Sequence, residues 1–172
     1  MMRTIRMLCG MLLVSAFAWL AAAGVRAQEP HGAAAAAPAL ALSPELMELL
    51  REEMRGISDG VQALVPAIAT GDWKTIADTS ARIEASYIME QKLTAAQKEE
   101  LETALPEVFK LMDANFHREA GNLGHAAEVR DGELTAFYFY RMVESCIACH
   151  SVYATTRFPN LAAGAAGEVH QH

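Results

Sequence analysis

Ser43-Pro44-Glu45-Leu46-Met47-Glu48-Leu49-Leu50-Arg51-Glu52-Glu53-Met54 opens the folded part of the chain and decides its class. A serine able to cap, a proline with φ preset for the first helical position, and an acid in the first turn together specify a helix start. Behind them Met47, Leu50, Met54, Ile57, Val61, Leu64, Val65 and Ile68 recur at helical spacing, which makes one face apolar. Pro66 is expected to kink or loosen the last turns, and Gly71-Asp72 ends this helix and caps the next. Arg51-Glu52-Glu53 and their neighbours read as a solvated face.

The same signals recur downstream. A second helix is expected from Trp73 to about Glu90, with Ile76, Ala77, Ser80, Ile83, Tyr87 and Ile88 along one side. Thr94-Ala95-Ala96-Gln97 is a capping box that starts either a short connecting helix or the third long one, interrupted at Pro106. From Pro106 the stripe Phe109, Met112, Phe116, Ala120, Leu123, Ala127 runs to a stop near Asp131-Gly132. Asp131 caps a last helix, which continues roughly to Arg157 before Phe158-Pro159 halts it. No alternating β-branched run of strand length occurs, so the predicted class is all-α. An antiparallel four-helix bundle over residues 43–158 is its simplest packing.

Outside that domain the chain changes character. Arg3 and Arg6 precede an apolar run from Met7 to Ala23, and Val25-Arg26-Ala27 supplies a small-x-small site, so residues 1–27 read as a secretory signal peptide cleaved after Ala27. Cleavage would leave no stable membrane anchor and would place the chain in the periplasm. It would also remove three arginines and no acid, turning a formal charge of −7 into −10. An Ala/Pro-rich linker (residues 28–42) and a Gly/Ala-rich tail (residues 159–172, with His170 and His172) read as disordered. With no dense Lys/Arg stripe, nucleic acid is not an expected partner; a protein with a basic docking surface is.

Cys9 leaves with the signal, so Cys146 and Cys149 are the only cysteines of the mature chain. They lie in Cys146-Ile147-Ala148-Cys149-His150 within the last helix. Residues three and four apart share a helical face, so both sulfurs and the imidazole can address one object. Cys-x-x-Cys-His is the attachment signature of c-type haem: two thioethers hold the porphyrin edge and His150 supplies the proximal ligand. Given one cysteine, the rest of that pattern arises by chance on the order of once in a few thousand times at ordinary residue usage. A thiol oxidoreductase would call for a βαβ context, which is missing, and a four-ligand zinc site for a second Cys/His pair at suitable spacing.

An exported helical chain with its mature cysteines in Cys-x-x-Cys-His near the C-terminus resembles the class II cytochromes c, the cytochrome c-prime family. Further points of resemblance are a first-helix Met about four turns before Gly71-Asp72, the Asp131-Gly132 turn fifteen residues before Cys146, and Tyr153 three residues after His150. The resemblance spans about Ser43 to Phe158. It implies one haem against the bundle interior, a possible homodimer through the first two helices, and electron transfer or binding of small gases. This chain departs from the family where a basic residue usually follows the haem histidine by four: Ala154 stands there, and Arg157 lies one turn further on. Pro66 also adds a residue between the first-helix Met and Gly71.

In low-spin members of the family a first-helix methionine binds the iron, which makes Met54 the candidate sixth ligand opposite His150. Met47, two turns earlier, and His117, beside Phe116, are the alternatives. Core packing is the competing role for Met54, and a hydrogen bond to solvent or backbone is that for His117. Phe137-Tyr138-Phe139-Tyr140 occupies both faces of its helix and should lie partly in the core. Nothing resembles a catalytic triad, a phosphate loop or a paired-carboxylate site. The expected function is therefore a periplasmic monohaem electron carrier, not an enzyme. The alternative is a five-coordinate haem protein that binds small gases such as nitric oxide.

Overall fold

The structure is a computed structural model that describes residues 40–162. The expected signal peptide, the linker up to residue 39 and the tail from residue 163, with His170 and His172, lie outside the described residues. Every regular element among the described residues is helical: α1 (Pro44–Thr70), α2 (Trp73–Glu84), α3 (Ala95–Ala104), α4 (Glu107–Glu128) and α5 (Gly132–Tyr153), then a 3-10 turn at Pro159–Leu161. None is long and apolar enough to cross a membrane.

The helix starts follow their capping residues. The Ser43 hydroxyl accepts the Leu46 N–H, Asp72 accepts that of Thr75, and Asp131 accepts those of Glu133 and Leu134. Thr94 and Gln97 form both halves of the capping box, and α3 is the short connecting helix of the two alternatives, ending before Pro106. Gly71 terminates α1 at φ +69°, a left-handed conformation that glycine adopts without a Cβ penalty. α1 continues as one helix through Pro66 to Thr70.

Two helices stop earlier than their periodicity predicts. α2 ends at Glu84, not near Glu90, because the Glu53 carboxylate accepts the backbone N–H groups of Tyr87, Ile88 and Met89. Those donors are thereby taken from any continuing helix, and Ser86 turns the chain at φ +55°. Glu53 is therefore not part of a solvated face; it is 1% exposed. α5 ends at Tyr153, short of Arg157, where the β-branched pair Thr155-Thr156 and the restriction that Pro159 places on Phe158 disfavour helix.

The contacts fix how neighbours run. Glu53 meets Ile88 while Gly60 faces Ile83, so α1 and α2 are antiparallel. The Ile83 carbonyl meets His117 while Ser80 faces Gly124, so α2 and α4 are antiparallel. Phe109 packs on Tyr153 and Asn115 bonds Ser145, so α4 and α5 are antiparallel. α1 and α5 touch only sparsely. The buried cluster joins the second half of α1 (Ile57, Leu64, Ala67), Ile76 and Ile83 of α2, Phe116 to Ala127 of α4, and Met142 of α5.

Candidate functional site

The last two turns of α5 carry Cys146, Cys149 and His150, all half-buried, on neighbouring positions of one helical face. Beyond Tyr153 the chain folds back through a turn closed by the Arg157 and Phe158 N–H groups donating to the Ala154 carbonyl. That turn lays the Phe158 ring on the His150 imidazole, with centroids 4.6 Å apart and planes 24° from parallel. The Arg157 guanidinium stands 5.7 Å from the Phe158 centroid. Arg157 thus supplies a cation near His150 although position 154 is alanine.

The electrostatics set the protonation of all three groups. Burial pushes the Cys149 thiol up to about 11, with Asp113 and Cys146 adding to the shift, and burial also raises Cys146. Position at a helix C-terminus, the negative end of the macrodipole, acts the same way. Burial, and then the Arg157 charge, lower His150. At neutral pH the site therefore offers two protonated thiols and a neutral imidazole. A thiol oxidoreductase needs the reverse, a depressed thiol pKa, which enzymes obtain at helix N-termini or beside cations.

Among the described residues no group of three or more His, Cys, Asp and Glu is arranged to hold a metal ion. A zinc site built by the protein needs such a group; an iron already held by four porphyrin nitrogens needs only one or two axial ligands. The hollow of about 520 Å³ along α2, lined by Thr75, Asp78, Thr79, Ala81 and Arg82, contains no cysteine or histidine.

α5 is apolar yet weakly covered. Only Thr135 and Met142 on it are buried. Tyr138, Phe139 and Cys146 pack at the edge of the core, whereas Phe137 and Tyr140 are 51% and 59% exposed. The aromatic run is thus split between core and surface. At the motif end Val143, Val152 and Tyr153 remain half-buried.

Met54 is 37% exposed and outside the buried cluster. It lies on the flank of α1 turned away from Glu53, Gly56 and Gly60, the row that meets α2, and Met47 lies two turns earlier on that flank, half-buried. Core packing therefore does not account for Met54. His117 faces α2. Its Nδ1–H donates to the Ile83 carbonyl at 2.7 Å and its Nε2 lies 3.6 Å from Asp113. His125 is exposed beside Glu128.

Comparison with protein-family models, with curated proteins and with solved structures finds no match.

The contacts that three residues of this neighbourhood make escape sequence reading. Phe158 and Arg157 reach His150 only because α5 stops early, and the Phe158-Pro159 pair signals the stop but not the stacking. Asp113 is foreshadowed only by its i,i+4 spacing from His117. Its proximity to Cys149 depends on the pairing of α4 with α5.

Proposed function

We propose that this chain is a periplasmic monohaem c-type cytochrome that carries electrons. Cys146 and Cys149 bind haem c covalently, His150 is the proximal ligand and Met54 the opposite one. The observation that carries this is the donor set itself: Cys146, Cys149 and His150 on one face of one helix, amid apolar side chains that the protein covers only in part. A neutral imidazole is the form that ligates iron. Haem bound there supplies reversible one-electron chemistry.

The three antiparallel pairings support closure of α1, α2, α4 and α5 into an antiparallel four-helix bundle, with α1 beside α5. In that arrangement the first half of α1, bearing Met47 and Met54, runs along the second half of α5, bearing Cys146, Cys149 and His150. Phe158 then orients the His150 ring by stacking, while burial and, after it, the Arg157 charge favour the neutral imidazole. The acidic surface steers encounter with a basic patch on a redox partner.

Expression with a haem-attachment apparatus tests the assignment. Met54 ligation predicts a low-spin ferric spectrum with a weak charge-transfer band near the red edge, replaced by a high-spin spectrum in Met54→Ala. An unchanged low-spin spectrum in that variant would transfer the role to Met47 or His117. A high-spin spectrum in the natural chain would make it a five-coordinate protein open to small gases such as nitric oxide.

A further inference from the structure

We propose that the outward face of α5 is an interface with a second copy of this chain, the two α5 helices packing antiparallel about a two-fold axis level with Met142. Such a pair forms with or without haem.

Glu133, Phe137, Tyr140, Glu144, Ile147 and Ser151 follow one another at alternating spacings of four and three, the repeat of a coiled-coil seam. They form one row on the side of α5 opposite its buried residues, Thr135 and Met142. Phe137, Tyr140 and Ile147 on that row are exposed. A solvated helix face is ordinarily polar, and large apolar side chains at seam spacing mark a face built to be covered. Cys146, Cys149 and His150 lie off the row, so a copy seated on it leaves them free.

The charges on the row select both occupant and register. Parallel pairing of two copies would set Glu133 against Glu133 and Glu144 against Glu144. An antiparallel pair shifted by one heptad would set Glu133 against Glu144 in one direction and Glu144 against Ile147 in the other. The register centred on Met142 instead sets Phe137 against Ile147, Tyr140 against Glu144 and Glu133 against Ser151, each twice by symmetry. No like charges oppose each other there, and the Tyr140 hydroxyl can donate to the Glu144 carboxylate of the second copy. The Arg141 guanidinium, paired with Glu144 in its own chain, offsets the charge of that carboxylate.

The surface continues onto α4. Beside Ser145 and Ala148 a hollow of about 220 Å³ opens against Leu111 and Met112, and Leu111 is 69% exposed. In the register above, Phe137 of the second copy enters the hole made by Glu144, Ile147, Ala148 and Ser151. Ala148 and Ser151 are small, so the ring reaches past them into the hollow and covers Leu111. The row is about 27 Å long at the ordinary helical rise, and an aromatic anchor seated in a hollow at each end widens the contact beyond a single helix pair.

Sedimentation equilibrium of the purified chain, with and without haem, tests this. The natural chain is expected to be a dimer. Phe137→Lys and Ile147→Glu should each raise the dissociation constant on the order of a hundredfold, since each sets a charge against an apolar side chain twice per dimer. Both positions are exposed, so each variant should keep the helical circular dichroism spectrum of the natural chain. Mixed in equal amounts, the two variants should dimerise again. One chain of each kind places ammonium against carboxylate at one end of the row and Phe137 against Ile147 at the other.

A natural chain that is monomeric at its highest soluble concentration would overturn the proposal. So would a dimer that survives both substitutions, which would put the interface elsewhere, for instance on α1 and α2, where the resemblance to the class II cytochromes c implies one. Variants that dissociate yet stay monomeric when mixed would overturn the pairing of Phe137 with Ile147, and the proposal with it.

Discussion

The Glu53 carboxylate on α1 accepts the backbone N–H of Ile88 at 2.5 Å, with both residues buried. The same carboxylate accepts the N–H groups of Tyr87 at 3.0 Å and Met89 at 3.3 Å. One side chain thereby satisfies N–H donors of the turn that follows α2, and holds α1 against the turn that leads to α3.

Removing that acceptor strands the buried Ile88 N–H and the part-buried Tyr87 N–H, while Met89 N–H keeps the Ser86 hydroxyl as acceptor. Glu53→Ala is expected to lower unfolding free energy on the order of 3 kcal/mol, since each unsatisfied buried group costs roughly 1–3 kcal/mol. Glu53→Gln, which keeps one accepting oxygen, should lose less. Urea or guanidinium unfolding of both variants measures the difference, and an alanine variant as stable as the natural chain would show that Glu53 holds nothing.

The α1–α2 approach is tight at a specific glycine. A Cβ on Gly56 would stand 3.0 Å from Tyr87 Cγ, at the root of a ring that cannot swing away, whereas one on Gly121 would meet the free end of Glu84. Overpacking of the first kind costs about 1–3 kcal/mol, against a helix-propensity gain of about 1 kcal/mol for Gly→Ala. Gly56→Ala should therefore destabilise and Gly121→Ala should be neutral or mildly stabilising. Paired thermal melts distinguish the two.

His117 gives stability a pH dependence of definite sign. Burial pulls its pKa down, but Asp113 and the Ile83 carbonyl outweigh burial and leave it above the ordinary 6.5. A folded value above the unfolded one stabilises fully below the unfolded pKa, and that contribution disappears as pH rises through the folded value. With Asp113 ionised, the gap in melting temperature between the natural chain and His117→Gln should be widest on the acid side and close as pH rises. A gap that widened with pH would reverse the assignment.

The thiols of the haem-free chain should be sluggish. With Cys149 raised to about 11 and Cys146 also raised, little thiolate exists at neutral pH. Iodoacetamide alkylation followed by mass spectrometry should be slow at neutral pH and accelerate steeply well above the pH at which a free cysteine reacts. Fast labelling at neutral pH would point back to redox chemistry of the cysteines themselves.

Local signals made much of this molecule legible. Ser43-Pro44-Glu45, Asp72, the Thr94–Gln97 box and Asp131 act through neighbours within one turn, and each starts a helix where the sequence places it. The early end of α2 was hidden for the opposite reason. Glu53 reaches a segment more than thirty residues away, so nothing near Glu84 announces the stop. At the site, Cys146, Cys149 and His150 are readable because their spacing alone sets their shared face. The Phe158 stacking and the Asp113 alignment depend on a turn and on a helix pairing that no local pattern encodes.

The central claim is that Cys146 and Cys149 are bonded to one haem, and intact-mass measurement of the chain expressed with a haem-attachment apparatus tests it most directly. The predicted result is a coloured protein one haem heavier than its polypeptide, with the added mass surviving acid–acetone extraction and disappearing in the Cys146→Ser, Cys149→Ser double variant. A colourless product at the bare polypeptide mass, or colour that extraction removes entirely, would contradict it.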